Sequence, residues 1–589
     1  MARSLGGLSR GRIETMDKKW LITPTSPLCA ELAAGWRLPK LVAQLLVNRG
    51  VDRATLGERF LTPRLKDLHP PAQLPGSQKA AEIIIDAIRK KRKIVLYGDY
   101  DVDGTTGLAI LWHTIRCAGR EAGFYVPHRV DEGYGLNRKA VERLADDGAD
   151  LIVTIDCGIT AVEEAEFLRK RGVGLIVTDH HTPQKTLPVA DAIVHPQVGG
   201  CYDNPHLCGA GVAFKLAWSI GQALAGGERV DASFRSLLVD LLPLAALGTI
   251  ADVVPLVGEN RIIARHGLQS LPSCELPGIQ ALIESAGLLN EEIDGYDVGF
   301  KLAPRINAAG RMGHARLAVE LFTRANADRA REITLYLETH NRSRQSTERK
   351  IYKQARELVE QRGLASDSRR ILVVAAEGWH AGVIGIVASR LVAHYHRPAV
   401  VIALADGRGQ GSARSIDSFD LAKAFADCGE HLVSHGGHAM AAGLQIEADR
   451  IPAFAESLVE VANNRLTAAD LIPKLRLDAE VDLEELTMPT AEAISALGPF
   501  GAGNPKPRLA TAWVDVVSEP RCVGKQQDHL QATFAQNGVQ IKAIGFGLGY
   551  LLEDLKQHRR CRVAFEPIIN EFRGRRSVEM QMLDVKFSG

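Results

Sequence analysis

Ile94-Val95-Leu96-Tyr97-Gly98-Asp99-Tyr100-Asp101-Val102-Asp103-Gly104 joins an apolar run to an acidic turn that ends on glycine. Four apolar residues bounded by turn residues read as a buried strand. The design recurs twice. Leu151-Ile152-Val153-Thr154-Ile155 leads into Asp156-Cys157-Gly158, and Leu175-Ile176-Val177-Thr178 leads into Asp179-His180-His181. Helical patterns at 80–90, 105–117, 139–147 and 161–171 surround these runs, and such alternation predicts a parallel α/β sheet. Sheets of this kind bind ligands at the carboxyl ends of their strands, so the acidic and histidine side chains should converge in one crevice. Carboxylates gathered there cannot all stay ionised without a compensating cation. The pattern predicts a metal site.

Taken singly, the pieces are weak. Asp101-x-Asp103-Gly104 and Asp156 each read equally well as helix caps in ordinary turns. Asp179-His180-His181 says more, because it offers neighbouring oxygen and nitrogen ligands at one strand end. Asp252 completes the set from Gly248-Thr249-Ile250-Ala251-Asp252, after an apolar helix predicted over 237–247. Mixed histidine and carboxylate ligation suits Mn²⁺, and Mg²⁺ less naturally. Two such ions about 3.5–4 Å apart would activate water for in-line displacement at phosphorus.

A phosphate substrate also needs cations from the protein. Arg129, Arg305, Arg311 and Arg414 stand among glycines and small residues, where a guanidinium fork and backbone N–H groups can meet an anion. Each reads as readily as a surface arginine in a turn. His435 and His438 flank glycines in Ser434–Gly443; contact with a substrate backbone is the better reading there than a second metal site. No phosphate-binding G-x-x-x-x-G-K-[ST] loop is present, so nothing supports an ATP-driven mechanism.

Length and composition frame the rest. A chain of 589 residues should divide into two to four domains. With a net charge of +1, any basic surface must be local. Nine cysteines without a C-x-x-C pair suit a reducing, cytoplasmic setting. Residues 1–15 lack an apolar core for a secretory signal and read as a disordered leader, and no stretch reads as a membrane span. Residues 314–362 contain neither proline nor glycine and predict one or two long helices. Over 301–370, 16 Lys/Arg stand against 8 Asp/Glu, which fits either a solvated linker or a basic face on a nucleic-acid channel. A second α/β unit follows from 370 to about 462. Beyond the motif Leu497-Gly498-Pro499-Phe500-Gly501-Ala502-Gly503-Asn504-Pro505, five short strands predict a small barrel of the OB type, with Arg559, Arg560, Arg562, Arg573, Arg575 and Arg576 near its end.

With these residues in view, the chain resembles the DHH phosphoesterase superfamily, and within it the single-strand-specific 5′→3′ DNA exonucleases. The resemblance runs from Met16 onward. It rests on Asp99–Gly104, Thr154–Asp156, Thr178–His181 and Gly248–Asp252, reinforced by Gly378–Arg390, Ser412–Ser415 and Gly436–Gly443. It implies an α/β fold: a parallel-sheet DHH catalytic domain at 16–313, a long connecting helix at 314–362 and a DHHA1 domain at 363–465. A linker and OB-fold barrel at 466–589 would complete a strand-sized channel. Two Mn²⁺ or Mg²⁺ ions would be held by Asp101, Asp103, Asp156, His180 and Asp252, with Asp99 a further member. His181 would touch the scissile phosphate, and Arg305 or Arg311 would supply the transition-state cation. Arg129, Tyr134, Ser412 and Arg414 would receive the 5′ end, with His438 among the DNA contacts.

The implied activity is hydrolysis of single-stranded DNA from the 5′ end to 5′-mononucleotides, in DNA repair and recombination. The implied partners are single-stranded DNA, a single-strand-binding protein and a helicase, for a cytoplasmic monomer with no membrane. Phosphate contacts predict little sequence preference and strong salt dependence. Three alternatives remain: a phosphodiesterase for very short oligonucleotides or cyclic dinucleotides, a non-catalytic DNA-binding scaffold, and a family II pyrophosphatase. The predicted barrel counts against the first and third, and the intact acidic set against the second.

Overall fold

The computed structural model describes residues 18–588 except 129–131, 134, 201 and 312–313. The predicted leader, Arg129 and Tyr134 lie outside the described residues, as does the side chain of Arg311. The chain packs as two compact units. One comprises 24–343 with 481–583 and 587–589; the other comprises 344–480 with the stretch up to Thr23 and 584–586.

In the first unit, a five-stranded parallel sheet runs in the order Gly123–Tyr125, Ile94–Gly98, Leu151–Ile155, Gly174–Thr178, Ala192–Val194. The three central strands are those expected. The edge strands, each three residues long, are too short to show in the sequence pattern. By chain position the order is 2-1-3-4-5, a doubly wound arrangement whose switch point falls between the first and third strands. Those two strands end at Asp99 and Asp156.

Ile94–Gly98 and Leu151–Ile155 are buried throughout, because helices cover both faces. Ser77–Arg89, Val102–Cys117, Gly209–Ala225 and Leu242–Ala251 contribute to the main core on one face. Arg138–Asp146 and Val162–Arg171 contribute to a smaller cluster on the other. The helix expected at 237–247 is two helices, Ala232–Asp240 and Leu242–Ala251. Contrary to the expectation that no stretch could span a membrane, 232–251 is long and apolar enough to do so, but 61% of its most apolar window is buried within the protein.

The breaker-free run 314–362 forms two helices. Ala315–Thr323 packs with the main core of the first unit, and Ala327–Gln361 is a separate helix of 35 residues, about 52 Å long. Asn326 accepts the backbone N–H of Arg329, and this asparagine cap restarts the chain as the long helix. Local ladders engage much of its charge: Arg342–Glu338, Arg344–Glu348, Lys353–Glu357 and Arg356–Glu360 all pair at i,i+4. That favours the solvated-helix reading over an open basic face.

The second unit holds another five-stranded sheet, ordered Ser434–Gly437, Ala441–Glu447, Arg408–Arg414, Ala399–Ala405, Leu372–Glu377. Only its last pair is parallel. Near the C-terminus, Val514–Val516, His529–Gln536, Val539–Gly545, Arg575–Phe587 and Arg560–Phe572 pair in that cyclic order, the last strand returning to the first. This is the connectivity of a small OB-type barrel.

Candidate metal centre

Each acidic segment leaves its strand in register with a neighbour. The backbone N–H groups of Asp99, Asp156 and Asp179 donate to Ile155, Thr178 and Val194 carbonyls at 3.0–3.2 Å, extending the parallel ladder by one step. The side chains beyond are thereby delivered to one crevice. Asp156 adopts a left-handed backbone at φ 62°, a conformation Asp tolerates better than most residues. Asp101 caps Val102–Cys117 by accepting Gly104 N–H at 3.0 Å. Asp103 is buried in that helix's first turn and accepts the Gly209 and Ala210 N–H groups at 2.6 and 2.8 Å. A positive helix N-terminus thus steadies a carboxylate that faces other carboxylates. Close approach requires glycine here. A Cβ on Gly209 would lie 2.6 Å from Asp156 Cβ, and one on Gly248 would lie 2.5 Å from Asp103 Oδ1.

His180 joins the segments. Its Nε2 is buried, makes no hydrogen bond, and faces Asp156 Oδ1 at 3.1 Å, Asp252 Oδ2 at 3.6 Å and Asp103 Oδ2 at 3.7 Å. Three triads, Asp156–His180–His181, Asp103–His180–Asp252 and Asp99–Asp101–Asp156, each bring ligand atoms within 4.8 Å of one another. All six expected ligands therefore meet in one crevice.

The electrostatics demand a cation. Burial and mutual repulsion push the Asp156 carboxyl well above its ordinary range, raise Asp101, and lift Asp252 to about 8. Burial also holds His180 below its usual value, as a neutral imidazole suited to ligation. A hard, oxygen-rich set with one imidazole fits divalent ions of the Mn²⁺ and Mg²⁺ class.

Asp179, beside the expected ligands, has both carboxylate oxygens engaged within the chain. Its Oδ1 accepts His181 Nδ1 at 2.8 Å and the His180 and His181 backbone N–H groups, and its Oδ2 accepts Ile159 N–H at 2.9 Å. Burial opposes ionisation of Asp179, but these bonds and the His181 charge outweigh it and hold the carboxyl below its ordinary value. Burial works against protonation of His181 too, yet the bond to Asp179 raises its pKa overall. Asp179 thus orients His181 and favours its protonated form.

The arginines divide. Arg305 is not available as a phosphate cation: its Nε lies 2.8 Å from Glu338 Oε2 and its Nη1 donates to the Lys301 carbonyl at 2.6 Å. It fastens helix Ala303–Arg311 to the long helix. The residue missed within the same motif is Asn307, whose Oδ1 accepts Val102 N–H at 3.2 Å beside Asp101 and Asp103. A side-chain acceptor placed 205 residues away leaves no mark on local pattern.

In the second unit, Ser412 and Arg414 occupy one strand, and Arg414 Nη1 donates to Ser412 Oγ at 3.2 Å. Arg414 makes no ion pair among the described residues, and burial lowers its pKa. Ala441 lies opposite Arg414, and His438 N–H donates to the Ala441 carbonyl at 2.8 Å, which brings the His438 turn to the same end of the sheet. Gly385 leaves the space: a Cβ there would lie 3.0 Å from Ser412 Oγ and 3.1 Å from Arg414 Nη2.

A doubly wound sheet with a carboxylate–histidine crevice at its switch point, in a chain that also holds a second α/β unit, defines the class. Models of the DHH family N-terminal domain, the DHHA1 domain and the RecJ OB domain match residues 93–249, 368–464 and 477–584. The chain belongs to the RecJ family. It is 38% identical over 574 residues to the single-stranded-DNA-specific exonuclease RecJ of Bacillus subtilis, covering 97% of this chain and 71% of that one. It is 34% identical to the Escherichia coli RecJ, over 92% and 95% of the two chains. The crystal structure of Thermus thermophilus RecJ with Mn²⁺ aligns at a TM-score of 0.82 and 30% identity, over 97% of this chain and 80% of that one. A structure of the same protein with Mg²⁺ aligns at 0.75.

Proposed function

We propose that this protein is a metal-dependent exonuclease that hydrolyses single-stranded DNA from its 5′ end to 5′-mononucleotides, in DNA repair and recombination. The observation that carries the reading is the convergence on His180 Nε2 of carboxylates from three separate segments, Asp103, Asp156 and Asp252. The family relation supplies the substrate: relatives at 33–38% identity over most of the chain are single-stranded-DNA-specific exonucleases.

Asp99, Asp101, Asp103, Asp156, His180 and Asp252 would hold two divalent ions, Mn²⁺ or Mg²⁺. Bound there, such ions would lower the pKa of the attacking water and offset the charge of the phosphodiester. The remaining work falls to the chain. His181, oriented by Asp179, presents its imidazole edge to the scissile phosphate. Arg311 is the remaining candidate for the transition-state cation, since Arg305 is engaged elsewhere. Ser412 and Arg414 offer an oxygen and a guanidinium to a terminal 5′ phosphate, with His438 nearby and Arg129 and Tyr134 as further members. A single-strand-binding protein and a helicase would supply the strand. We place the enzyme in the cytoplasm as a monomer.

An assay with single-stranded DNA labelled at either end, beside a blunt duplex, tests the reading. Early release of the 5′ label as a mononucleotide, with Mn²⁺ or Mg²⁺ and with the duplex spared, is expected. Turnover of dinucleotides alone would overturn it in favour of a small-substrate phosphodiesterase.

A further inference from the structure

The motif Leu497–Pro505 has no part in the function above, yet it is bound tightly to the catalytic domain. Its attachment lies three to five residues beyond Asp252. There the chain leaves helix Leu242–Ala251 through Val253, which is left-handed at φ 61° and exposed. Segment 254–257 thus follows closely on Asp252, the C-cap of that helix. Leu256 N–H donates to the Ala502 carbonyl at 2.7 Å. A Cβ on Gly501 would come within 2.8 Å of Leu256 Cδ1, and one on Gly503, itself at φ 69°, within 3.0 Å of Pro255 Cβ. From the inner side, Asn260 Nδ2 donates to the Pro255 carbonyl at 3.1 Å. Segment 255–257 is thus held between the catalytic core and the motif.

Asn504 holds the motif in shape. It is fully buried; its Nδ2 donates to the Leu497 and Pro499 carbonyls at 2.9 and 2.8 Å, and its Oδ1 accepts Arg49 Nε at 2.8 Å. Arg49 donates onward to the Pro505 and Leu45 carbonyls at 2.6 and 2.7 Å. The buried Arg261 donates to the Gly498 carbonyl at 2.8 Å and to the Phe60 carbonyl at 3.0 Å, its guanidinium 3.9 Å from the centre of the Phe60 ring. The motif also meets Gly295, where a Cβ would lie 2.7 Å from the Phe500 carbonyl oxygen. Gly295 opens the run that leads to Asn307, which anchors Val102 beside Asp101 and Asp103.

We propose that Leu497–Pro505 is a positioning element of the metal centre, with Asn504 as its central residue: it sets the path of 253–257 and so the placement of Asp252. The inference rests on the metal centre assigned above. Outer partners that orient ligands are worth about 10–100-fold in metal affinity. The expected result for Asn504→Ala in the full chain is a dissociation constant for Mn²⁺, measured by titration calorimetry, raised about tenfold. Binding of a single-stranded oligonucleotide in EDTA should stay unchanged. Gly503→Val, which presses on Pro255 and strains the left-handed backbone of the motif while keeping the Asn504 side chain, should shift Mn²⁺ affinity in the same direction. It serves as the independent variant if Asn504→Ala does not fold. Unchanged Mn²⁺ affinity in whichever variants fold would overturn the proposal. Asp252→Asn is the control that separates the two ideas: if it leaves Mn²⁺ affinity unchanged, the metal assignment itself has failed.

Discussion

The two α/β units use the carboxyl ends and edges of their sheets in opposite ways. The first gathers carboxylates around His180 until the site is unstable without added positive charge. The second places Ser412, Arg414 and glycines on one strand and its neighbours, where the guanidinium has no acidic partner among the described residues. One site lacks cations and the other lacks an anion. A phosphodiester needs both, since metal ions act on the scissile group while a guanidinium fork grips a terminal phosphate. Under the proposed function the first site would do the chemistry and the second would receive the strand end, and each half can be broken separately.

The largest effect belongs to Asp156, which takes part in two of the three triads. Asp156→Ala should cost roughly 10³-fold or more in cleavage, beyond what removal of one transition-state donor usually costs. Anisotropy in EDTA should show single-stranded DNA still bound. Cleavage persisting at saturating Mn²⁺ would remove the first site from the chemistry.

Asp179→Asn sharpens the same half. It keeps every proposed ligand but weakens the hold on His181, so kcat should fall about 10–100-fold, the range typical of lost orienting partners. The Mn²⁺ concentration giving half-maximal rate should hardly move. A large shift in metal dependence would instead make Asp179 a ligand.

Arg414→Ala addresses the second unit. A charge-assisted hydrogen bond contributes about 1.5–3 kcal/mol, so the preference in kcat/KM for a 5′-phosphorylated over a 5′-hydroxyl strand should fall roughly tenfold. Metal dependence should be untouched. An unaltered end preference would leave the second unit without its assigned role.

What could be read from the sequence follows the range of each interaction. The three central strands and their acidic ends were legible because burial on both faces makes a strand a continuous apolar run, and side chains at such ends must meet. The three-residue edge strands carry too little pattern to be seen. The long helix was visible as an absence of breakers, but its start at Ala327 depends on one asparagine cap. Ligand and orienting carboxylates have the same composition, so the part Asp179 plays could not be read from pattern; its bond to His181 Nδ1 shows it. Asn307, Asn504 and the fate of Arg305 depend on partners 33 to 455 residues away, which local pattern does not encode.

Arg305 gives the smallest expected change in catalysis and the clearest test of that last point. From its place in the Pro304–Gly313 motif it was a candidate transition-state cation. Its guanidinium is instead matched to Glu338, both side chains 14% exposed, and to the Lys301 carbonyl. Removing Arg305 leaves Glu338 only the exposed Arg342, 2.6 Å from its other oxygen, so the cost should appear in folding rather than in turnover. Arg305→Ala should lower stability by about 2 kcal/mol in urea unfolding, and kcat at a temperature where the variant stays folded should remain within about twofold. The double change Arg305→Ala/Glu338→Gln should cost less than the sum of the two single changes, because both remove the same contact. If kcat fell by orders of magnitude while stability held, Arg305 would return to the active site and Glu338 would be only its resting partner.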